Sequence, residues 1–126
     1  MITFLSAVFL IVHGLLHPGV WTAPRRPGES PPFDPGHSWA LTAVHIAPEP
    51  VRAIALSIAW YIAVVYTVAG AGLLAGSTWW PTAALVGAAG GLVLKTLWFD
   101  PWLTVGVLLD VGVIVAVACT WPASVY

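Results

Sequence analysis

Four long apolar runs, at about 2–20, 51–75, 79–99 and 102–121, take up most of this chain and leave little else for it to fold with. A membrane-spanning helix needs about 20 consecutive apolar residues, so runs of this length predict four spans. Only 7% of the 126 residues are charged, whereas a soluble domain draws on about 25% to clothe its surface. The expected fold is therefore all-α, an integral membrane four-helix bundle forming a single transmembrane domain over 1–126. A net charge of −1 and the absence of a basic stretch argue against nucleic acid as a partner. The lipid bilayer is the expected partner, with a homo-oligomer or a larger membrane complex left open.

The punctuation between the runs sets their order. Gly-Ser-Thr at 76–78 reads as a tight turn with Gly76 as a helix C-cap. Asp100 and Pro101 stop the third helix and start the fourth, with Pro101 in the tolerated first turn. Both connections are short, so the second, third and fourth spans are antiparallel neighbours. The loop 21–50 differs in character. TAPRRPGESPPFDPG is too rich in Pro and Gly to be helical, and HSWALTAVHIA is apolar but too short to span. The latter predicts a short interfacial or re-entrant helix, with Asp34 as a candidate cap. Pro-Glu-Pro at 48–50 then resets the chain into the second span. The first run lacks a basic leader and reads as a retained helix rather than a cleaved signal. The lone Cys119 can form no internal disulfide and reads as a small apolar residue.

Charge predicts orientation. Arg25, Arg26, Arg52 and Lys95 all fall on the side of the long loop and the 100–101 turn, and the opposite side has no Lys or Arg. The positive-inside rule places the long loop in the cytoplasm and both termini outside a cell membrane. Tryptophans mark both ends of the bundle, with Trp21, Trp39, Trp98 and Trp102 on the loop side and Trp79, Trp80 and Trp121 on the other.

Charged groups within hydrocarbon cost about 2.5–3.5 kcal/mol near a helix centre, so those present need a partner or a task. Four ionisable groups fall inside the runs, His13, His17, Lys95 and Asp110. A rise of about 1.5 Å per residue puts His17 about 5 Å and His13 about 11 Å from the loop-side end of their helix. The same rise puts Lys95 about 6 Å from Phe99 and Asp110 about 12 Å from Trp102. His13 is thus level with Asp110, and His17 with Lys95. The i, i+4 spacing places both histidines on one helix face. Gly87 and Gly91 share the Lys95 stripe, Gly106 that of Asp110, and such small residues suit close helix contact, as do Gly72 and Gly76. These groups predict one polar pocket open toward the loop. Ser57 and Tyr61 join it by depth, and Asp34, His37 and His45 are candidate lid residues. The blander alternatives are histidines acting as interhelical hydrogen-bonding groups, a snorkelling Lys95, and a purely structural Asp110 pair. Asp100, Glu29 and Glu49 read as solvated caps.

Three functions follow from such a pocket. A titratable His beside an Asp suits the binding of a small ligand or ion, with transport as a linked process. Two His and one carboxylate (His13, His17 and Asp110) also suit zinc or iron, and hence a metal-dependent membrane enzyme. The metalloprotease pattern is absent, because Gly-Leu-Leu separates the histidines, and no nucleophile elbow, phosphate loop or dinucleotide fingerprint occurs. Catalytic residues are therefore not assigned. The third function is that of a non-enzymatic accessory or assembly subunit of a larger membrane complex.

His-Gly-Leu-Leu-His in the first run, Phe-Asp-Pro-Gly-His-Ser-Trp in the loop and Trp-Phe-Asp-Pro-Trp before the fourth run together carry a resemblance. The chain resembles a scattered group of uncharacterised small prokaryotic four-helix integral membrane proteins. These open with a His-Gly-Leu-x-His stretch and carry Ser-Trp in the first loop. The resemblance covers most of the chain, implies the same architecture, and implies no activity.

Overall fold

A computed structural model describes residues 1–22, 28 and 33–126 of the chain. Arg25, Arg26 and Glu29 lie outside the described residues, and so does most of the Pro-rich part of the loop. Helix α1 spans Ile2–Trp21, α2 Trp39–Ala43, α3 Pro48–Leu74, α4 Trp80–Leu97 and α5 Thr104–Ala118. Single 3₁₀ turns cover Pro101–Leu103 and Ala123–Val125, and there is no strand among the described residues. Four stretches are long and apolar enough to cross a membrane: Ile2–Trp21, Pro48–Leu74, Trp80–Leu97 and Pro101–Ala118.

Each boundary has a local cause. After α3 the N–H of Gly76 bonds Leu73 O at 3.1 Å and that of Ser77 bonds Gly72 O at 2.9 Å. This Schellman pair requires a left-handed residue, which Gly76 supplies at φ +67°. The Gly72/Gly76 pair is therefore a turn device and not a helix–helix seam, because Gly76 faces open space and the Trp79 ring of the same turn lies against Gly72. Helix α3 starts at Pro48, earlier than the expected 51, because Pro48 and Pro50 both fall in a first turn that needs no N–H donor. Asp100 accepts the Trp102 N–H at 2.8 Å and opens the 3₁₀ turn that leads into α5. The cap of α2 is Ser38, whose Oγ accepts the Leu41 N–H, and not Asp34. Asp34 instead accepts the Gly36 N–H at 2.9 Å, closing its own turn, and pairs with Arg52 at 3.0 Å.

Two motifs interlock at the loop end of the bundle. The final carbonyls of α4 have no partner within the helix. The loop satisfies them, since Ser38 Oγ donates to Leu97 O at 2.6 Å and Trp39 Nε1 to Thr96 O at 2.6 Å. In return Trp98 Nε1 donates to Pro35 O at 2.8 Å. Phe-Asp-Pro-Gly-His-Ser-Trp and Trp-Phe-Asp-Pro-Trp thus form a structural clasp that pins the loop to α4.

The four long helices pack as a row, α1 on α3, α3 on α4 and α4 on α5. Small residues permit the close approach. A Cβ on Gly14 would lie 2.6 Å from Tyr66 Cβ, and one on Gly70 would lie 2.9 Å from Ala7 O, so α1 and α3 meet nearly backbone to backbone. The core of α3 is the stripe Val51, Ala55, Ala59, Ile62, Tyr66, Ala69 and Leu73. Helix α5 is the least covered, with only Asp110 and Val113 buried. It is held at a distance from α1, and a cleft runs between the two.

Candidate functional site

Helix α5 buries almost nothing, yet one of its two buried side chains is a carboxylate with no solvent exposure, Asp110. A buried charge persists only where partners replace water. Asp110 has three. His13 Nε2 and the Tyr66 hydroxyl each lie 2.8 Å from its Oδ1, and Lys95 Nζ lies 2.6 Å from its Oδ2. Lys95 also donates to His17 Nε2 at 2.7 Å. The levels inferred from helical rise correspond to contacts, His13 with Asp110 and His17 with Lys95.

The partners dictate the tautomers. His17 Nδ1 lies 3.0 Å from the His13 carbonyl, which only accepts, so Nδ1 carries the proton and Nε2 offers its lone pair to Lys95. His13 donates from Nε2 to Asp110, which leaves Nδ1 without a partner, a bare acceptor in the neutral ring. It is the one buried side-chain polar atom without a partner among the described residues. Rings brace the arrangement: Phe9 stacks on His13 with centroids 5.6 Å apart, and Tyr66 meets His13 edge-on at 5.0 Å.

Glycines make the room. The hydrogen of Gly91 faces the Asp110 carboxylate, whose Cγ would lie 2.8 Å from a Cβ there. Gly106 lies under the Lys95 stem, with Cε 2.6 Å from the place of a Cβ. Lys95 is only 5% exposed and turns inward to Asp110, so it does not snorkel.

Five expected members stand elsewhere. Ser57 and Tyr61 lie outside the buried set, and Ser57 Oγ donates back to Ala53 O. They match the pocket in depth but lie off the buried stripe of α3, so their side chains point outward. Tyr66 takes the place assigned to them. Its Cα lies farther from the loop end, but helical side chains lean toward the N-terminus and the long phenol reaches back to Asp110. The signal for it was the spacing Ala55, Ala59, Ile62, Tyr66, Ala69. Asp34, His37 and His45 are exposed and line no part of the cavity at the centre, so they form no lid to it.

Among the described residues, aromatic rings pack at the loop end, with the Trp21 ring 4.6 Å from Phe33 and 5.7 Å from Trp98. A cavity of about 420 Å³ lies between α1 and α5, lined by His13, His17, Lys95 and Gly106 and, toward the loop end, by Val20, Trp21, Trp102 and Leu103. Its rim includes Leu16 and Val105, which are 52% and 67% exposed on the outer apolar surface.

The donor atoms of His13, His17 and Asp110 lie within 4.8 Å of one another, close enough to hold a metal ion. Lys95 Nζ stands between two of those donors, 2.7 Å from His17 and 2.6 Å from Asp110, so the protein's own ammonium fills the cationic position. Compared with protein-family models, curated proteins and solved structures, the chain matches none.

Proposed function

We propose that this chain is a small integral membrane protein that binds a small ligand or ion at the His13–His17–Lys95–Asp110 centre, and that transport is the process such binding serves. The observation that carries this reading is the convergence of four ionisable groups, Asp110 bonded to His13 and Lys95 and Lys95 to His17, beside a cavity that His13, His17 and Lys95 line. Ionisable side chains at that depth are costly, and structure alone is satisfied by fewer of them. The bilayer supplies the surroundings for the four apolar helices, with the loop cytoplasmic and both termini outside. A reporter fused to the C-terminus is expected to be active only outside the cytoplasm; activity inside it refutes this orientation.

Binding is tested on purified protein in lipid nanodiscs, with ¹⁵N-histidine spectra recorded during titration with short-chain alcohols and with alkali and divalent cations. Shifts confined to His13 and His17 and lost in Asp110→Asn support the reading, and unchanged spectra throughout refute it. A second reading has its own observation, the metal-compatible spacing of His13, His17 and Asp110. Two imidazoles and a carboxylate suit zinc or iron, and Lys95 would have to withdraw to admit either. Protein purified from zinc- and iron-supplemented cells is then expected to carry one equivalent of metal; background content overturns this second reading.

A further inference from the structure

The centre has an uneven hydrogen-bond balance. Lys95 donates to Asp110 and His17, with Gly91 O a distant third at 3.5 Å. His13, His17 and Tyr66 each donate their one side-chain hydrogen to a partner. Among these groups the one donor left poorly used is the third Lys95 hydrogen. What also remains is His13 Nδ1, which has no partner and belongs to a residue that lines the cavity. The Asp110 charge is already balanced by Lys95, so an ionic head group would bring net charge into an apolar setting. A neutral hydroxyl would not.

A second cavity extends this site. It holds about 530 Å³ and is apolar, lying between the same two helices toward the chain termini, with Phe9, Leu109, Gly112, Val113 and Ala116 in its wall. Leu109 lines both cavities, so they adjoin there, one beside the polar groups and the other apolar. Nothing stands within 4 Å of a Cβ placed at Gly112, which leaves that stretch open.

We infer that the ligand is a neutral long-chain amphiphile whose hydroxyl head bonds His13 Nδ1 and whose hydrocarbon chain lies in the α1–α5 cleft, entered sideways from the bilayer. The inference rests on the binding role proposed above and adds the ligand's class and route. The apolar mouth at Leu16 and Val105 favours entry from lipid over entry from water.

The test uses the protein in nanodiscs with hexadecan-1-ol carrying a mid-chain diazirine, followed by photolysis and peptide mapping. Adducts are expected on Phe9, Leu109, Val113 and Ala116. Excess unlabelled hexadecanol is expected to suppress them about tenfold. Hexadecyl sulfate, with the same chain and an anionic head, is expected not to compete. Gly112→Phe starts from a position with room for its Cβ, places a ring in the cleft and is expected to abolish labelling while the His13 and His17 signals keep their positions. Adducts spread over the outer face of α3, at Val64 and Val68, and insensitive to competitor identify ordinary annular lipid and overturn the inference. Equal competition by the sulfate overturns the head-group assignment. If butanol shifts the His13 and His17 signals while the long chain never labels the cleft, the binding role stands and the chain inference falls. If no alcohol of either length moves those signals, the hydroxyl assignment falls with it, and the binding role is then decided by the cation titrations.

Discussion

Replacing Asp110 by Asn tests the centre most directly. The substitution keeps the shape and removes one charge. With its carbonyl on the side of His13 and Tyr66, the introduced amide still accepts from both, as Oδ1 does now at 2.8 Å from each. The amide nitrogen then faces Lys95, whose ammonium lies 2.6 Å from Oδ2, so donor meets donor and the lysine loses its counter-charge. Removing one partner of a buried ion pair costs about 3–5 kcal/mol, and Asp110→Asn is expected in that range. Lys95→Met alone leaves the carboxylate uncompensated and is expected to cost a similar amount. The double variant behaves differently, because the introduced amide is then free to turn its hydrogens toward His17 Nε2, now 3.9 Å from Oδ2. Both charges are gone, and His13 Nε2, Tyr66 and His17 Nε2 have partners. The double variant is expected to be at least about 2 kcal/mol more stable than the sum of the two single losses, within the range of measured couplings between contacting residues. Equilibrium unfolding in mixed detergent micelles, followed by tryptophan fluorescence, measures all four corners of the cycle. Additivity within about 0.5 kcal/mol would refute the claim that Lys95 and Asp110 stabilise each other.

Three other outcomes follow from the same geometry. Gly91→Ala pushes a methyl into the Asp110 carboxylate and is expected to lose about 1–3 kcal/mol in the same unfolding assay, while Gly112→Ala, which meets nothing within 4 Å, is expected to lose none. A result in which both glycines tolerate Ala equally contradicts the close packing of α4 on α5. Tyr66→Phe deletes one hydrogen bond to a charged group and is expected to cost about 1.5–3 kcal/mol, whereas Tyr61→Phe, on the exposed face, is neutral. Ser38→Ala removes both the α2 cap and the bond to Leu97 O, so hydrogen exchange at the Leu41 amide is expected to rise about fivefold, as for a loss of about 1 kcal/mol. Unchanged exchange there would show that the loop clasp does not depend on Ser38.

Much of the architecture was legible because its causes are local. Hydrophobic runs, the Gly76 turn and the Asp100–Pro101 break act within a few residues, and the helices begin and end close to where those signals fall. The depth of each ionisable group was legible for the same reason, since helical rise is nearly constant. Depth, however, says nothing of direction. Ser57 and Tyr61 failed on direction, being placed by level alone and turned outward by the small-residue stripe of α3. Tyr66 was hidden by its distance along the chain, because its reach depends on a side chain leaning back by more than a helical turn. Asp34 failed as a cap because Ser38, nearer the helix start, supplies the oxygen.

By itself, then, the sequence determined four apolar helices, their order and the level at which His13, His17, Lys95 and Asp110 lie, because periodicity and rise are properties of a single helix. Only the tertiary structure decided that Tyr66 completes the centre, that aromatic rings pack at its loop end and that its cavity lies between α1 and α5. Those features depend on how each helix is rotated about its axis. Rotation is set by which glycines, at 14, 87, 91 and 106, admit which neighbouring side chains.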